Sequence, residues 1–184
     1  MNQSIPMTAA NTVLPVFSTM LANLQHLLSQ GQAHAQQRGD DADALLALRL
    51  APDMLSLAGQ VRYACISAKG GAAKLAGVPV PAYDPSDDST LAQAQTRLTD
   101  TLQWLASLPA DGLAQCDQRS YSVKVAPEQH HVFSGPDFAR HWVLSHFHFH
   151  VAMSYALLRQ HGVALGKADY VWGAQAPQGP GKTA

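Results

Sequence analysis

Apolar residues recur every three or four positions in four stretches of this chain, and that period constrains its fold more than any other feature. Val13, Phe17, Met20, Leu21, Leu24 and Leu28 form the first stretch. It predicts a helix from about Thr8 to Gln37, with Pro15 among its early turns. Leu45, Leu46, Leu48 and Leu50 make a short helical piece that meets Pro52. Met54, Leu57, Val61, Ala64, Cys65 and Ala68 resume the pattern. Proline suits a first helical turn, so the second helix is expected to begin at Pro52, to weaken at Gly70-Gly71 and to stop at Gly77. A connector bearing Pro79, Pro81 and Pro85 follows. Asp87, Asp88 and Ser89 then offer caps to a third helix, which carries Leu91, Ala94, Leu98, Leu102 and Leu105 and ends at Pro109.

The period then changes. Tyr121, Val123 and Val125 alternate with polar residues, Ala126-Pro127-Glu128-Gln129 offers a turn, and Val132-Phe133 can pair back as a hairpin. Ser134 with Asp137 resembles a capping box and opens a fourth helix, which runs to about His161 before the left-handed stop expected at Gly162. The predicted fold class is all-α: a four-helix bundle with a small β-hairpin before the last helix. One domain is expected over residues 1–172, and the Gly-, Pro- and Gln-rich tail over residues 173–184 is expected to be disordered.

Composition narrows the function classes. Apolar residues at 47% against charged residues at 14% give a globular chain with a real core. A net charge of −1 leaves no electrostatic footprint for nucleic acid or for an anionic membrane surface. No apolar run is long enough to span a bilayer, and Met1 to Ala10 lacks the pattern of a secretory signal, so a cytoplasmic protein is expected. Cys65 and Cys116 form no metal motif. Glu128 is the only glutamate, and it falls in the predicted turn. Ferritin-like di-iron bundles need several helix-borne glutamates, so that chemistry is excluded.

The one hint of chemistry is the run His146-Phe147-His148-Phe149-His150 in the fourth helix. His146 and His150 stand one turn apart on the same side, a spacing at which two imidazoles can reach one divalent ion. A helical wheel puts Trp142, His146, Phe149, His150, Met153 and Leu157 on one broad face, taken as the inward one, and His148 on the other side with His141, Ala152, Tyr155 and Arg159. A catalytic metal site needs a third protein ligand. The second helix has no histidine. Its inward-capable polar residues are Asp53 and Gln60, a heptad apart. Asp53 suits a hard ion, and Gln60 is a poor ligand for zinc. Alternatively, His150 is a buried histidine satisfied by Gln60, Tyr63 or a backbone carbonyl.

Several segments together carry a family resemblance. They are Arg49-Leu-Ala-Pro-Asp-Met54, Gln60-Val61, Leu75-Ala-Gly77, Phe149-His150-Val151, Tyr155 with Leu158-Arg159, Gly162-Val163 and Leu165-Gly-Lys-Ala-Asp-Tyr170. In this order they resemble the bacterial and fungal domain-of-unknown-function family numbered nineteen-ninety-three, over nearly the whole chain. That family is similar to the DinB/YfiT-like superfamily of metalloenzymes. The resemblance implies a four-helix bundle with a crossed connection, often dimeric. In metal-binding members one histidine comes from the second helix and a His-x-x-x-His pair from the last. His146 and His150 match that pair, and Gln60 falls near the position of the missing histidine. Relatives include thiol-dependent transferases and hydrolases, but fold likeness alone does not transfer a reaction.

Two functional expectations result. The first is a small-molecule or metal pocket between the second and fourth helices, with Asp53, Gln60, Tyr63 and His150 around the ligand. His146 and His150 would be the ligands of any divalent metal, such as zinc or nickel. The second is a non-catalytic dimeric bundle whose buried His and Gln are structural. A homodimer is the expected assembly under either.

Overall fold

The computed structural model describes residues 8–82 and 84–175. Helix α1 spans Ala9–Arg38; Thr8 caps its start, accepting from the Asn11 amide, and Gly39 ends it at φ 72°. Pro15 lies inside α1, in its second turn, where it has no N–H to donate to the carbonyl four residues back. A 3₁₀ turn over Ala42–Ala47 tucks Leu45 and Leu46 into the core. Helix α2 spans Leu57–Ala76. Its cap is Ser56, whose hydroxyl accepts from the Gly59 amide, and Gly77 ends it at φ 71°. The helix therefore begins later than proline-first reasoning expects. Pro52 sits in the turn over residues 51–54, where a serine four residues on makes the stronger cap. Gly70 and Gly71 lie within α2 and do not weaken it to a stop.

Helix α3 spans Leu91–Ala106, and its cap is Thr90 in a capping box with Gln93, not one of Asp87, Asp88 or Ser89. Asp87 and Asp88 instead bind arginines: Arg62 reaches Asp87 at 2.8 Å, and Arg97 reaches Asp88 at 2.8 Å. A short helix α4 (Ala110–Ala114) and a 3₁₀ turn (Cys116–Gln118) lead to the hairpin. Its strands, β1 (Ser120–Ala126) and β2 (Gln129–Ser134), pair antiparallel, with Glu128 at φ 61° in the turn. One face of β1 is buried through Tyr121 and Val123, and Tyr121 stacks on Phe138 with ring centroids 4.5 Å apart.

The expected fourth helix is composite. A single turn, α5 (Gly135–Asp137), is capped by Ser134. A π-helical stretch over Phe138–Val143 follows, and then α6 over Leu144–Gln160. Gly162 makes the expected left-handed turn at φ 94°. Helix α7 (Lys167–Trp172) returns along α1, where Asn23 Nδ2 donates to the carbonyls of Tyr170 and Val171 at 2.9 and 3.0 Å. Gly173–Gln175 continue as a 3₁₀ turn with Gly173 buried; the rest of the expected tail, residues 176–184, lies outside the described residues.

The bundle consists of α1, α2, α3 and α6, with α3 and α6 each packed on both α1 and α2. The core runs through Phe17, Leu21, Leu24 and Leu28 of α1, Val61, Ala64 and Ala68 of α2, Leu98 of α3, and Phe147 and Val151 of α6. The α2–α6 pairing is the most extensive between helices. It is antiparallel: Gln60, early in α2, meets His150, while Gly71, later in α2, meets Val143 ahead of α6. Small residues allow this approach. A Cβ at Gly71 would sit 2.4 Å from Val143 Cγ1, whereas a Cβ at the neighbouring Gly70 would meet nothing within 4 Å. Among the described residues no helix is long and apolar enough to cross a membrane.

The two glycines should therefore respond oppositely to one methyl group. Gly71→Ala is expected to lower stability by about 1–3 kcal/mol through overpacking against a stiff β-branched side chain. Gly70→Ala is expected to raise it by up to about 1 kcal/mol through helix propensity. Paired denaturant melts measure both, and equal losses in the two variants would show that the contact at Val143 is not the tight one.

Candidate functional site

The site grows from the first turns of α2. Gln60 is only 2% exposed, although its amide is among the groups most costly to bury unpaired. Its Nε2 donates to the Leu55 carbonyl at 3.4 Å, and its Oε1 accepts from His150 Nδ1 at 2.8 Å. That orientation of the amide fixes the tautomer of His150. Nδ1 carries the proton, and Nε2 keeps its lone pair. Tyr63, one turn further along α2, stacks on the His150 ring with centroids 5.4 Å apart and an interplanar angle of 29°. Arg62 lies 4.7 Å from the centre of the Tyr63 ring. Burial disfavours the imidazolium, and the nearby His146 adds to the effect, so the pKa of His150 is pushed down to about 4. At neutral pH this ring is an uncharged base with a free nitrogen.

His146 behaves differently. It is exposed, its ring lies 4.3 Å from that of Trp142, and its Nδ1 donates to the Trp142 carbonyl at 2.7 Å. The inward face of the helix is turned relative to the one expected from its sequence. The buried face of the composite helix runs through Val143, Phe147, Val151, Ser154, Leu157 and Leu158; of the residues expected to face inward Leu157 is buried, while Phe149 is 50% exposed. His146 and His150 flank one side of that face. His148 flanks the other, where Tyr170 Oη lies 3.4 Å from its Nδ1. The helix is apolar on most of its circumference, so a wheel alone does not select the inward side.

Of the expected pocket residues, Gln60, Tyr63 and His150 come together. Asp53 does not join them: it is exposed in the turn ahead of α2, and the heptad spacing to Gln60 loses its meaning because no helix connects them. For a metal, both His146 and His150 keep Nε2 available once Nδ1 has donated. Two imidazoles are one protein donor short of a catalytic zinc site. Among the described residues no group of three His, Cys, Asp or Glu side chains could hold an ion, and Gln60 is committed to His150. The residues present do not fit a three-ligand metal.

Sequence reasoning missed a slot beside His146. It has a volume of about 210 Å³, lies between α2 and the π-helical stretch, and includes Ile66, Gly70, Trp142 and His146 in its lining. The Gly70-Gly71 pair was its only signal. A larger groove of about 630 Å³ lies on the other side of α2, against the proline-bearing connector and α3, with Cys65, Lys69 and Arg97 among its walls. Cys65 there is inert in character, because burial pushes its thiol up to about 11.

Burying His150 uncharged gives a testable linkage. Its folded pKa lies below the unfolded value, so the unfolded chain binds the extra proton as pH falls below about 6.5, and stability drops until about pH 4. The ring is partly solvated, so the loss expected is about 1–2 kcal/mol, less than the full shift would give. His150→Gln should flatten that part of the stability–pH curve, and His146→Gln should raise the His150 pKa in an NMR titration. A His150 that titrates near 6.5 would overturn the buried-neutral assignment.

Comparison with known proteins agrees with this architecture. The model of the domain of unknown function DUF1993 matches residues 10–171. A crystal structure described as a DinB family member protein from Shewanella denitrificans is 32% identical, covers 88% of this chain and 90% of its own, and superposes with a TM-score of 0.79. No curated protein matches the chain. With a family match across nearly all of its length and a neighbour of the same fold, the chain belongs to the DUF1993 family and is DinB-like.

Proposed function

We propose that this protein binds a small molecule in the cleft between α2 and α6, with the neutral His150 imidazole as its central polar group. The observation that carries the reading is the 2.8 Å bond from His150 to the buried Gln60 amide. It holds the ring in one tautomer, and Nε2 is left as an acceptor or proton acceptor toward whatever enters. Tyr63, stacked on the ring and partly exposed, offers an incoming ligand an aromatic face. A ligand-observed NMR fragment screen tests this. Hits on the parent protein that disappear with His150→Gln support it, and a screen without any hit sensitive to that change overturns it.

A metal version needs the ion to complete its shell with water beyond His146 and His150. Elemental analysis of tag-free protein after loading with zinc or nickel decides it. Near-stoichiometric metal that is lost with either His146→Ala or His150→Ala supports the ion. No retained metal in the parent ends that version while leaving the cleft untouched.

The second reading is a non-catalytic bundle in which Gln60 and His150 satisfy each other, favoured by the near-complete burial of Gln60. It expects His150→Ala to cost about 1–3 kcal/mol, because the Gln60 oxygen is left without a partner. An unchanged melting curve would remove this structural role. Both readings carry the homodimer expected from the family, which sedimentation equilibrium checks.

A further inference from the structure

We propose that the slot between α2 and the π-helical stretch holds the single aromatic ring of a small monocarboxylic acid, with its carboxylate at Lys74. This goes beyond the reading centred on His150: the slot shares α2 and His146 with that site, and Gln60, Tyr63 and His150 are not part of its lining. Three independent observations support it. The first is Gly70. A glycine within a helix is disfavoured unless something needs the space. Gly71 is explained by Val143, whereas a Cβ at Gly70 would meet nothing within 4 Å. Gly70 lines the slot, so the omitted side chain is slot volume.

The second is the wall chemistry. Ile66 and Gly70 form one side, and Phe138, Trp142 and Val143 form the other, all three from the π-helical stretch. Such stretches are frequent at functional sites because they re-aim side chains within a helix. The volume of about 210 Å³ suits one ring, given that an apolar cavity of about 150 Å³ takes benzene. The third is charge. Lys74 is exposed on the rim, 5.9 Å from the centre of the Phe138 ring, and pairs with no carboxylate among the described residues. His146 lines the same slot and has a free Nε2, which provides a second hydrogen-bonding group for an acid.

Calorimetric titration of the full chain with phenylacetate and with phenylacetamide tests this. The acid is expected to bind about fivefold more tightly than the amide, and Lys74→Met is expected to abolish that preference. Gly70→Leu should abolish binding of both compounds, and Gly70→Ala should weaken it, with circular dichroism melts confirming that each variant is folded. Equal affinity for acid and amide overturns the carboxylate. Unchanged binding in both folded Gly70 variants overturns the slot. Absence of phenylacetate binding to the parent overturns the proposal as a whole. The reading centred on His150 fails separately: if other fragments bind in a His150-dependent way while phenylacetate does not bind, that reading stands and only the slot proposal is wrong.

Discussion

The close contact of α2 with the last long helix is the constraint on which the rest of the molecule depends. Two local solutions maintain it. At one end Gly71 removes a side chain so that Val143 can approach; at the other, Gln60 and His150 exchange a hydrogen bond that neither could find in an apolar core. Between them Phe147 and Val151 fill the interior against α1 and α2. Losing the first contact is a steric problem, and losing the second leaves a polar atom dry. The slot beside Gly70 lies along this one interface, so the spacing of the two elements sets its width.

Electrostatics and packing cooperate at His150. An imidazole on a solvated helix would titrate near neutrality. Here burial and a neighbouring histidine keep it uncharged, and the Gln60 oxygen determines which nitrogen bears the proton. The result is a base with a defined free nitrogen on a rigid element, which suits recognition better than a mobile loop would. His146, one turn away, has no comparable constraint beyond its bond to the Trp142 carbonyl.

Much of this architecture was legible in the residues. Helical periodicity located all four bundle helices, alternation at Tyr121, Val123 and Val125 located the hairpin, and Gly77 and Gly162 ended helices as expected. Gln60, Tyr63 and His150 were legible as a group because each is a polar or aromatic residue on facing helical patterns. Asp53 was misplaced because Pro52 and Ser56 both resemble helix starts, and only the cap hydrogen bond of Ser56 distinguishes them. The inward face of the last helix was misread because phenylalanines and histidines alternate around it. Its true orientation is set by packing against α1, which no local pattern encodes. The slot was illegible for a related reason: an empty volume arises from elements far apart in sequence.

The π-helical stretch has one further consequence. Each residue of an ordinary helix turns the chain by about 100°. A wider turn just before α6 accommodates an additional residue, so every side chain downstream takes its direction from that local excess. Phe147 faces the core, and His150 faces Gln60, only in this phase. A deletion that regularised the stretch would rotate the whole of α6 and turn its histidines to a different side. The length of this short segment thus acts as a phase setting for the entire helix.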